Sequence, residues 1–395
     1  MNIAIITSGI LPVPSIRGGA VEYLIDCYLE YNNIHNLHCI TVYSIKDKRL
    51  STHPAFNSIS NNYHFINTYS IIAKIRKKIH HFLYHGQEKY HYSIEFFLHE
   101  AIKHIRHMNY DVIIIENRPN YALKLQNKTN AKIIYHLHND ILNSETQDNA
   151  LIYNLASGII TVSNFITNRV KEINVNDTIC RTVYNGIDFH AFNSTTEDIN
   201  RKTLGLQSSD FVIIFSGRLI PEKGIEPLIE AMNELKNHSD IKLVVIGGVE
   251  YGNNNPQSTF LQKIVTRAKV IGNILFTGYV AHEKVAEYLH LSDIAVLPSL
   301  WEEPFGLTCI ESMAAGLPLI TTHKGGIPEI VDKDSAILVD VDKNLPKTLS
   351  ESIMFLYSHP QKRLSMSKAA VSRAKLFDKA QYAKEFFNVV EDIAK

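Results

Sequence analysis

Short apolar runs alternate along this chain with longer stretches in which apolar residues recur every three or four positions. The runs at residues 3–7, 110–116, 131–137 and 158–163 have the length and composition of strands in a parallel sheet that is covered on both faces. Residues 37–44 are predicted as a further strand. The stretches between them, such as the one that begins near residue 21, have helical spacing. This alternation predicts an α/β protein in which helices join parallel strands.

The same alternation begins again after the middle of the chain. Residues 212–216, 241–248, 273–279, 293–298 and 318–322 predict the strands of a second sheet. A chain of 395 residues also exceeds the size at which a single hydrophobic core keeps growing. We therefore expect two α/β domains.

The composition is that of an ordinary globular protein, with 45% hydrophobic and 20% charged residues. No apolar run reaches the length of a membrane span. The first residues have the pattern of a strand and lack the basic segment of a signal peptide. The four cysteines are scattered, which favours buried thiols in a reducing compartment. We therefore expect a cytoplasmic protein.

The net charge is zero overall but is unevenly distributed. Residues 1–185 contain 18 lysines and arginines against 14 acidic residues, a net charge of +4, so the rest of the chain carries −4. The same segment holds 13 of the 19 histidines. This asymmetry favours an anionic partner for the first half of the chain, and we expect that partner not to be a nucleic acid.

Residues 299–316, SLWEEPFGLTCIESMAAG, hold the most informative pattern in the chain. They follow a predicted strand, turn at a proline and a glycine, and continue as a predicted helix from Leu307 to about Gly316. Glu303 lies in the turn, and Glu311 lies about one helical turn inside the helix. The turn therefore separates two carboxylates that lie at opposite ends of one short unit.

The start of this helix is predicted to bind an anion. The N–H groups of Phe305, Gly306 and Leu307, which follow Pro304, lack partners within a helix that begins here, and the helix dipole adds positive potential. Together with the two carboxylates, they favour a ligand that carries both phosphate and hydroxyl groups. The alternative is one capping glutamate and one solvated glutamate on an ordinary amphipathic helix.

A pair of glycines, Gly18 and Gly19, lies between the first predicted strand and the first predicted helix. Glycine lets the backbone approach a ligand closely, so the pair is a candidate for ligand binding. The segment does not have the G-x-G-x-x-G spacing of dinucleotide-binding proteins. The alternative is a loop that needs positive φ angles for its own conformation.

Two cations flank a loop at the carboxyl end of a strand in the second half. Arg218 follows Gly217 directly, and Lys223 closes the loop. A fork-shaped guanidinium and a compact ammonium suit the clamping of a diphosphate, with surface cations of no special role as the alternative. Glu250 lies just beyond the next predicted strand, 241–248, and is a further candidate for ligand binding.

The predicted strand at residues 131–137 leads into polar residues, including His136 and His138. Open α/β sheets bind ligands at this end of their strands. Two histidines two positions apart point to one face of a strand, with His136 deeper than His138. They could suggest a metal site, but no third ligand with suitable spacing accompanies them in the sequence.

Glu303 and Glu311, with seven residues between them and Pro304-Phe305-Gly306 after the first, resemble the EX7E motif of the retaining glycosyltransferases of family 4. The surrounding residues 314–318 and 325–329 fit the same resemblance. It implies an α/β fold called GT-B, in which two Rossmann-like domains face each other across a cleft.

The resemblance also implies domain boundaries and their roles. Residues 183–188 resemble the hinge of the family, so residues 1–185 would form the N-terminal acceptor domain. Residues 186–375 would form the C-terminal domain for the nucleotide-sugar donor. The final helix, residues 376–395, would return to the N-terminal domain.

By the same resemblance, Arg218 and Lys223 would contact the donor phosphates, and His138 would reach the transferred sugar. Glu303 would bind sugar hydroxyls, and Glu311 would bind the ribose hydroxyls. The predicted catalytic residues are Arg218, Lys223, Glu303 and His138. The predicted donor-binding residues are Gly18, Gly19, Gly217, Glu250, Pro304, Phe305, Gly306, Leu307 and Glu311.

The expected reaction moves a hexose or N-acetylhexosamine from a nucleotide diphosphate sugar, with UDP-sugars favoured, to the hydroxyl group of a sugar or lipid-linked acceptor. It would serve the synthesis of a cell-surface polysaccharide or glycoconjugate. We expect no cofactor and no metal, and we interpret Asp340-Val-Asp342 as the exit of a strand rather than a metal motif. A nucleotide-sugar epimerase of GT-B build and a non-catalytic sugar-nucleotide sensor are the alternatives.

A basic amphipathic helix is predicted near residues 72–83. Ile72, Ile75 and further apolar residues share one face, and Lys74 and Arg76 belong to a basic cluster beside it. Such a helix suits a peripheral contact with the inner face of an anionic membrane. The alternative is a surface helix whose apolar face packs on the sheet.

Overall fold

A computed structural model describes residues 1–52, 58–76, 92–194, 199–248 and 258–395. The chain divides into two compact units. The first unit comprises Met1–Tyr184 together with Ala380–Lys395, and the second comprises Asn185–Lys379.

The first unit is built on a parallel sheet in which seven strands are described. Their order is β3-β2-β1-β4-β5-β6-β7. The central strands are almost wholly apolar and buried because helices cover both faces of a sheet of this kind. The strands are β1 Asn2–Ile6, β2 Cys39–Ile45, β3 Asn61–Ile66, β4 Val112–Glu116, β5 Lys132–Leu137, β6 Gly158–Thr161 and β7 Cys180–Thr182.

The helices of the first unit alternate with its strands. The final helix of the chain packs here, where the ring of Phe386 stacks on the ring of Tyr28 with centroids 4.3 Å apart. Residues 71–76 are also helical. The helices are Ala20–His35, Tyr92–Ile105, Ala122–Leu125, Asn149–Asn154, Asn164–Lys171 and, at the end of the chain, Lys379–Ala394.

The second unit repeats this plan with six described parallel strands in the order β10-β9-β8-β11-β12-β13. The strands are β8 Phe211–Ser216, β9 Ile241–Ile246, β10 Ile274–Gly278, β11 Ile294–Leu297, β12 Leu319–Thr322 and β13 Ala336–Val339. The helices are Phe189–Asn193, Ile225–Glu234, Thr259–Ile271, His282–His290, Leu307–Ala314, Ile327–Ile330, Leu345–Ser358 and Pro360–Ala374.

The predicted α/β class with two Rossmann-like domains is confirmed. Two strands of the first sheet, β3 and β7, were not predicted from the sequence. β3 reads NNYHFI and mixes polar with aromatic residues, and β7 has only three residues, so neither has the apolar run of a covered strand. The prediction that all cysteines are buried is wrong for Cys39, which is exposed at the start of β2.

Each sheet has a position where the chain reverses its direction of strand addition. In the first sheet this position lies between β1 and β4, and in the second it lies between β8 and β11. Ligands of open α/β sheets bind at the carboxyl ends of the strands at such positions. Within the described residues, no helix is both long and apolar enough to cross a membrane.

Candidate functional site

The predicted site residues that the structure describes follow strands at or next to these two reversal positions, one in each unit. In the second unit, Arg218 and Lys223 follow β8, and Glu303 follows β11. In the first unit, Gly18 and Gly19 follow β1, and His138 follows β5. Each unit therefore carries its candidate residues at the edge of the sheet where this fold binds ligands.

In the second unit, an ion pair joins two of the predicted catalytic residues. Lys223 Nζ contacts Glu303 Oε1, and Ser299 Oγ donates a hydrogen bond of 2.9 Å to the same oxygen. Lys223 Nζ also lies 5.7 Å from the centroid of the Trp301 ring, within the range of a cation–π contact. The carboxylate is buried and the ammonium is half-buried, so the pair holds both side chains in place at the exit of β11.

Glycines allow the loops around this pair to approach one another. A Cβ atom on Gly224, which has φ 73°, would lie 1.8 Å from the carbonyl oxygen of Pro298. A Cβ atom on Gly325 would lie 2.1 Å from the carbonyl oxygen of Glu303, and Gly326 N–H donates to that oxygen over 2.7 Å. Only glycine fits such contacts, so these positions fix the backbone that presents Lys223 and Glu303.

Glu311, the second glutamate of the motif, has a partner that the sequence did not indicate. Its Oε1 lies 2.9 Å from Nε2 of His282, the first residue of the helix His282–His290. Burial alone would lower the pKa of His282, but the hydrogen bond to Glu311 and its charge raise that pKa above its ordinary value. Glu311 belongs to the helix Leu307–Ala314 and is buried, and its carboxylate makes this contact with His282.

The rest of the motif forms the start of that helix. Gly306 has φ 108° and immediately precedes Leu307, and no side chain among the described residues caps the helix. Phe305 is buried against the ring of Phe377, with centroids 5.9 Å apart, and the neighbouring Pro304 is buried as well. The turn is therefore anchored by aromatic packing, and the helix begins where the sequence predicted.

Two further predicted donor-binding residues are placed differently. Gly217 lies directly after β8, where its N–H donates to the carbonyl oxygen of Ile246 over 3.1 Å, and the adjacent Arg218 is half-buried. Glu250 lies outside the described residues, so its predicted role stays a prediction.

In the first unit, Gly18 and Gly19 both have positive φ angles, 74° and 105°, and lead into the helix Ala20–His35. Glu22, in the first turn of that helix, is buried beside them and accepts a hydrogen bond of 3.4 Å from Ser8 Oγ. Burial raises the pKa of Glu22 to about 7. The sequence analysis did not select this carboxyl group, because its burial depends on how the helix packs.

A buried polar cluster lies at the ends of β4 and β5. Glu116 is the last residue of β4, and it stands opposite His136 of β5 in the parallel register. Its carboxylate accepts hydrogen bonds from Tyr28 Oη at 2.8 Å and contacts His138 Nε2 at 2.9 Å and His136 Nδ1 at 3.1 Å. Both histidines therefore point to one face of β5, as predicted, and both contact the same carboxylate. We call these four residues the Glu116 cluster.

The electrostatics of the Glu116 cluster follow from its burial. Burial alone would raise the pKa of Glu116, but the two imidazoles lower it to about 2, so its carboxyl group is ionised. Burial and the neighbouring His136 lower the pKa of His138 to about 4, so its imidazole is neutral near pH 7. A buried anion of this kind is stable because three donors surround it.

No third metal ligand accompanies the two histidines in the sequence, but the fold brings the carboxylate of Glu116 to them. Single donor atoms of Glu116, His136 and His138 lie within 4.8 Å of one another. A metal bound to His136 Nδ1 and His138 Nε2 would place protons on the outer ring nitrogens, which have no hydrogen-bond partner among the described residues. The residues therefore fit a hydrogen-bonded cluster better than a metal site.

The chain matches two protein families over most of its length. Residues 64–190 match the family described as Glycosyltransferase Family 4, and residues 196–373 match the family described as Glycosyl transferases group 1. The two matches together include the Glu116 cluster apart from Tyr28, and the whole region around Lys223 and Glu303.

Relatives and solved structures agree with these matches. The Bacillus subtilis (strain 168) protein YtcC is 28% identical, and the alignment covers all of this chain and 92% of the relative. The lipopolysaccharide 1,2-N-acetylglucosaminetransferase of Salmonella typhimurium is 29% identical over 56% of this chain and 56% of its own. The crystal structure of Anabaena HepE in complex with UDP and glucose has a TM-score of 0.73 at 18% identity and covers 99% of each chain, a likeness of fold.

Proposed function

Because the chain belongs to the family-4 type of glycosyltransferases with the GT-B fold, we propose that it transfers a hexose or N-acetylhexosamine from a nucleotide diphosphate sugar to an acceptor hydroxyl group, with retention at the anomeric carbon. The contact between Lys223 and Glu303 carries this proposal. It brings a cation suited to phosphate and a carboxylate suited to sugar hydroxyls to one point at the carboxyl edge of the second sheet.

The chemistry requires that charge be stabilised on the leaving phosphate. When the bond between the sugar and the diphosphate breaks, negative charge grows on the β-phosphate. Arg218, Lys223 and the N–H groups at the start of the helix Leu307–Ala314 supply positive charge and donors where that charge develops. A site of this composition stabilises the leaving nucleoside diphosphate with groups of the protein alone.

The two glutamates have separate roles in this proposal. Glu311 accepts hydrogen bonds from the ribose hydroxyls, and its contact with His282 holds the carboxylate for them. Glu303 binds hydroxyl groups of the transferred sugar and keeps the anomeric carbon in position for attack. In this proposal the acceptor attacks from the face of the leaving phosphate, since the sequence offers no obvious nucleophile.

We favour UDP-sugars as donors and sugar or lipid-linked molecules as acceptors. Support for the donor comes from the structural relative that was solved with UDP and glucose. Support for the acceptor class comes from the relative named as a lipopolysaccharide glycosyltransferase. We assign the second unit to the donor and the first unit, with Gly18, Gly19 and His138, to the acceptor and the transferred sugar, in a cytoplasmic enzyme.

The predicted membrane contact gains support from the first turns of the helix at residues 71–76. The side chains of Ile72 and Ile75 are 62% and 55% exposed, so the part of the apolar face that is described does not pack on the sheet. Lys74 and Arg76 lie in the same turns, and the rest of the predicted helix lies outside the described residues. We propose that this helix rests on an anionic membrane surface and brings the enzyme to a lipid-linked acceptor.

The proposal is tested by incubating the purified chain with a panel of nucleotide sugars, with and without saccharide and lipid-linked acceptors. We expect release of nucleoside diphosphate from one donor, strongly increased by one acceptor, and a product whose anomeric configuration matches that of the donor. Conversion of a donor to its C2 epimer without acceptor would instead identify an epimerase. Tight donor binding without any turnover across the panel would identify a sensor.

A further inference from the structure

In the Glu116 cluster, the atoms that face the carboxylate form hydrogen bonds, whereas the far nitrogen of each imidazole ring has no partner among the described residues. The two carboxylate oxygens of Glu116 contact Tyr28 Oη, His136 Nδ1 and His138 Nε2, and all four side chains are buried. His136 Nε2 and His138 Nδ1, the ring nitrogens that do not face Glu116, have no hydrogen-bond partner among the described residues. Buried polar atoms without partners are uncommon in proteins and point to a ligand or a functional role.

The carboxylate decides where the imidazole of His138 carries its proton. A neutral imidazole has one N–H and one bare nitrogen, and an ionised carboxylate only accepts hydrogen bonds. The proton of the neutral His138 must therefore lie on Nε2, the atom 2.9 Å from Glu116. Its outer nitrogen, Nδ1, is then a hydrogen-bond acceptor.

We propose that Glu116 is a positioning residue of the transfer site, which locks His138 in the tautomer protonated at Nε2 and keeps Nδ1 as an acceptor for a hydroxyl group of the transferred sugar. This inference rests on the proposed function. A sugar hydroxyl donates to such a nitrogen, whereas the opposite tautomer would present an N–H and would require the hydroxyl oxygen to accept. The orientation of the sugar therefore depends on a carboxylate that does not touch it.

The surroundings of the cluster make this lock rigid. Tyr28 donates to Glu116 Oε1 and is itself held by the stacked ring of Phe386, on the final helix of the chain. The ring of His136 lies 5.0 Å from the same phenylalanine and 4.1 Å from the ring of His138. Glu116 is thus fixed from one side by a tyrosine and from the other by a strand neighbour.

The tautomer can be measured directly in the resting protein. Histidine labelled with ¹⁵N gives long-range proton–nitrogen correlations that distinguish a protonated from a bare ring nitrogen, and His138→Asn and His136→Asn identify the two signals by their loss. We expect the His138 signal to show a protonated Nε2 and a bare Nδ1 at pH 7. A His138 signal with the proton on Nδ1, or tight Zn²⁺ binding that Glu116→Gln abolishes, would overturn the proposal.

Kinetics test whether the His138 tautomer that Glu116 selects affects the rate of sugar transfer. Glu116→Gln keeps the shape of the side chain but can present either an amide oxygen or an amide N–H to His138. We expect it to lower kcat by about tenfold to hundredfold, the cost of a misplaced substrate, while the affinity for the bare nucleotide stays unchanged. The matched control is Glu391→Gln, because Glu391 lies 3.2 Å from the buried His38 in the same unit.

A double-mutant cycle separates positioning from a loss of structure. The amide oxygen of an asparagine can replace Nδ1 as an acceptor, and an asparagine has no tautomer for Glu116 to select. In a His138→Asn background, Glu116→Gln should therefore lower kcat by less than twofold. If the double variant lost kcat by the product of the two single losses, the positioning role would be contradicted. A Glu116→Gln enzyme as active as the Glu391→Gln control would also contradict it. A wild-type chain that transfers no sugar would instead contradict the proposed function and would leave the measured tautomer standing.

Discussion

Lys223 and Glu303 are 80 residues apart in the chain and form an ion pair at the carboxyl edge of the second sheet. The carboxylate also accepts a hydrogen bond from Ser299 Oγ, and the ammonium lies over the ring of Trp301. A phosphate group that approaches this point competes with Glu303 for the ammonium, and a sugar hydroxyl competes with Lys223 for the carboxylate. The pair therefore connects the two halves of the proposed donor site through one contact.

Removal of either cation should impair turnover more than stability. We expect Arg218→Ala or Lys223→Ala to lower kcat by about 10²–10³, the usual loss when one charge-stabilising donor is removed. The matched control is Lys324→Ala, because Lys324 forms an ion pair of 2.8 Å with Glu302, the neighbour of Glu303. Steady-state rates of nucleoside diphosphate release check this. Turnover within threefold of wild type in both variants, with the fold intact, would remove the phosphate clamp from the mechanism.

The two glutamates should separate in a binding experiment. Glu311→Ala should weaken the binding of bare nucleoside diphosphate, because its proposed partners lie on the ribose. Glu303→Ala should not weaken that affinity, because Glu303 no longer competes with the phosphate for the ammonium of Lys223. It should still depress transfer, because its proposed partners lie on the sugar. Calorimetry with the nucleotide alone measures the difference, and equal losses of affinity in both variants would contradict the assigned roles.

Chelators should not affect the reaction. Arg218, Lys223 and a helix start already supply positive charge to the diphosphate, and Asp340-Val-Asp342 lies at the exit of β13, where Asp340 contacts His323 at 2.9 Å. We expect equal rates with excess chelator and with added Mg²⁺ or Mn²⁺. Activity that is lost to the chelator and restored by either cation would show that the reaction depends on a metal.

The helix near residues 72–83 should bind anionic membranes. Each basic residue near an anionic leaflet contributes about 1 kcal/mol. Arg76 already forms an ion pair of 2.7 Å with Glu100, so the other three contribute about 3 kcal/mol, enough for reversible docking. Co-sedimentation with anionic vesicles should show binding that weakens with salt, because salt screens charge. The variant that should lose this binding replaces Lys74, Arg76, Lys77 and Lys78 with glutamine.

A second quadruple variant controls for total charge in this experiment. It carries glutamine at four exposed lysines of the second unit, namely Lys333, Lys343, Lys347 and Lys368. We expect it to sediment with anionic vesicles as wild type does. Equal loss of binding in both variants would indicate attraction by net charge, and wild type that ignores the vesicles at low salt would refute the docking.

His138 should make the protein less stable in acid. Its folded pKa of about 4 lies below the ordinary value of 6.5, so the unfolded chain binds more protons between these pH values. The free energy of unfolding should therefore fall as pH decreases from 6.5 to 4, by roughly 3 kcal/mol from this residue. Urea unfolding at pH 7 and pH 4.5 measures it. His138→Gln should flatten the dependence, and His35→Gln, on an exposed histidine, should leave it as in wild type.

The local pattern of the sequence determined most of the fold. Apolar runs such as those of β4 and β11 are typical of covered strands, and the turn before Leu307 places a glycine where the helix begins. These features depend on neighbours within a few positions, so periodicity and turn chemistry suffice to predict them. The same local spacing carried the resemblance at Glu303 and Glu311, and the family it named is confirmed.

The sequence alone could not determine which distant side chains meet. Glu116 closes a strand that was predicted, yet only the parallel register between β4 and β5 places it opposite His136 and within reach of His138. His282 likewise begins a helix in which the sequence indicated no site residue, and only the packing of two helices brings it to Glu311. Contacts of this kind depend on strand order, register and helix packing, which the whole chain determines through its tertiary structure and no short segment encodes.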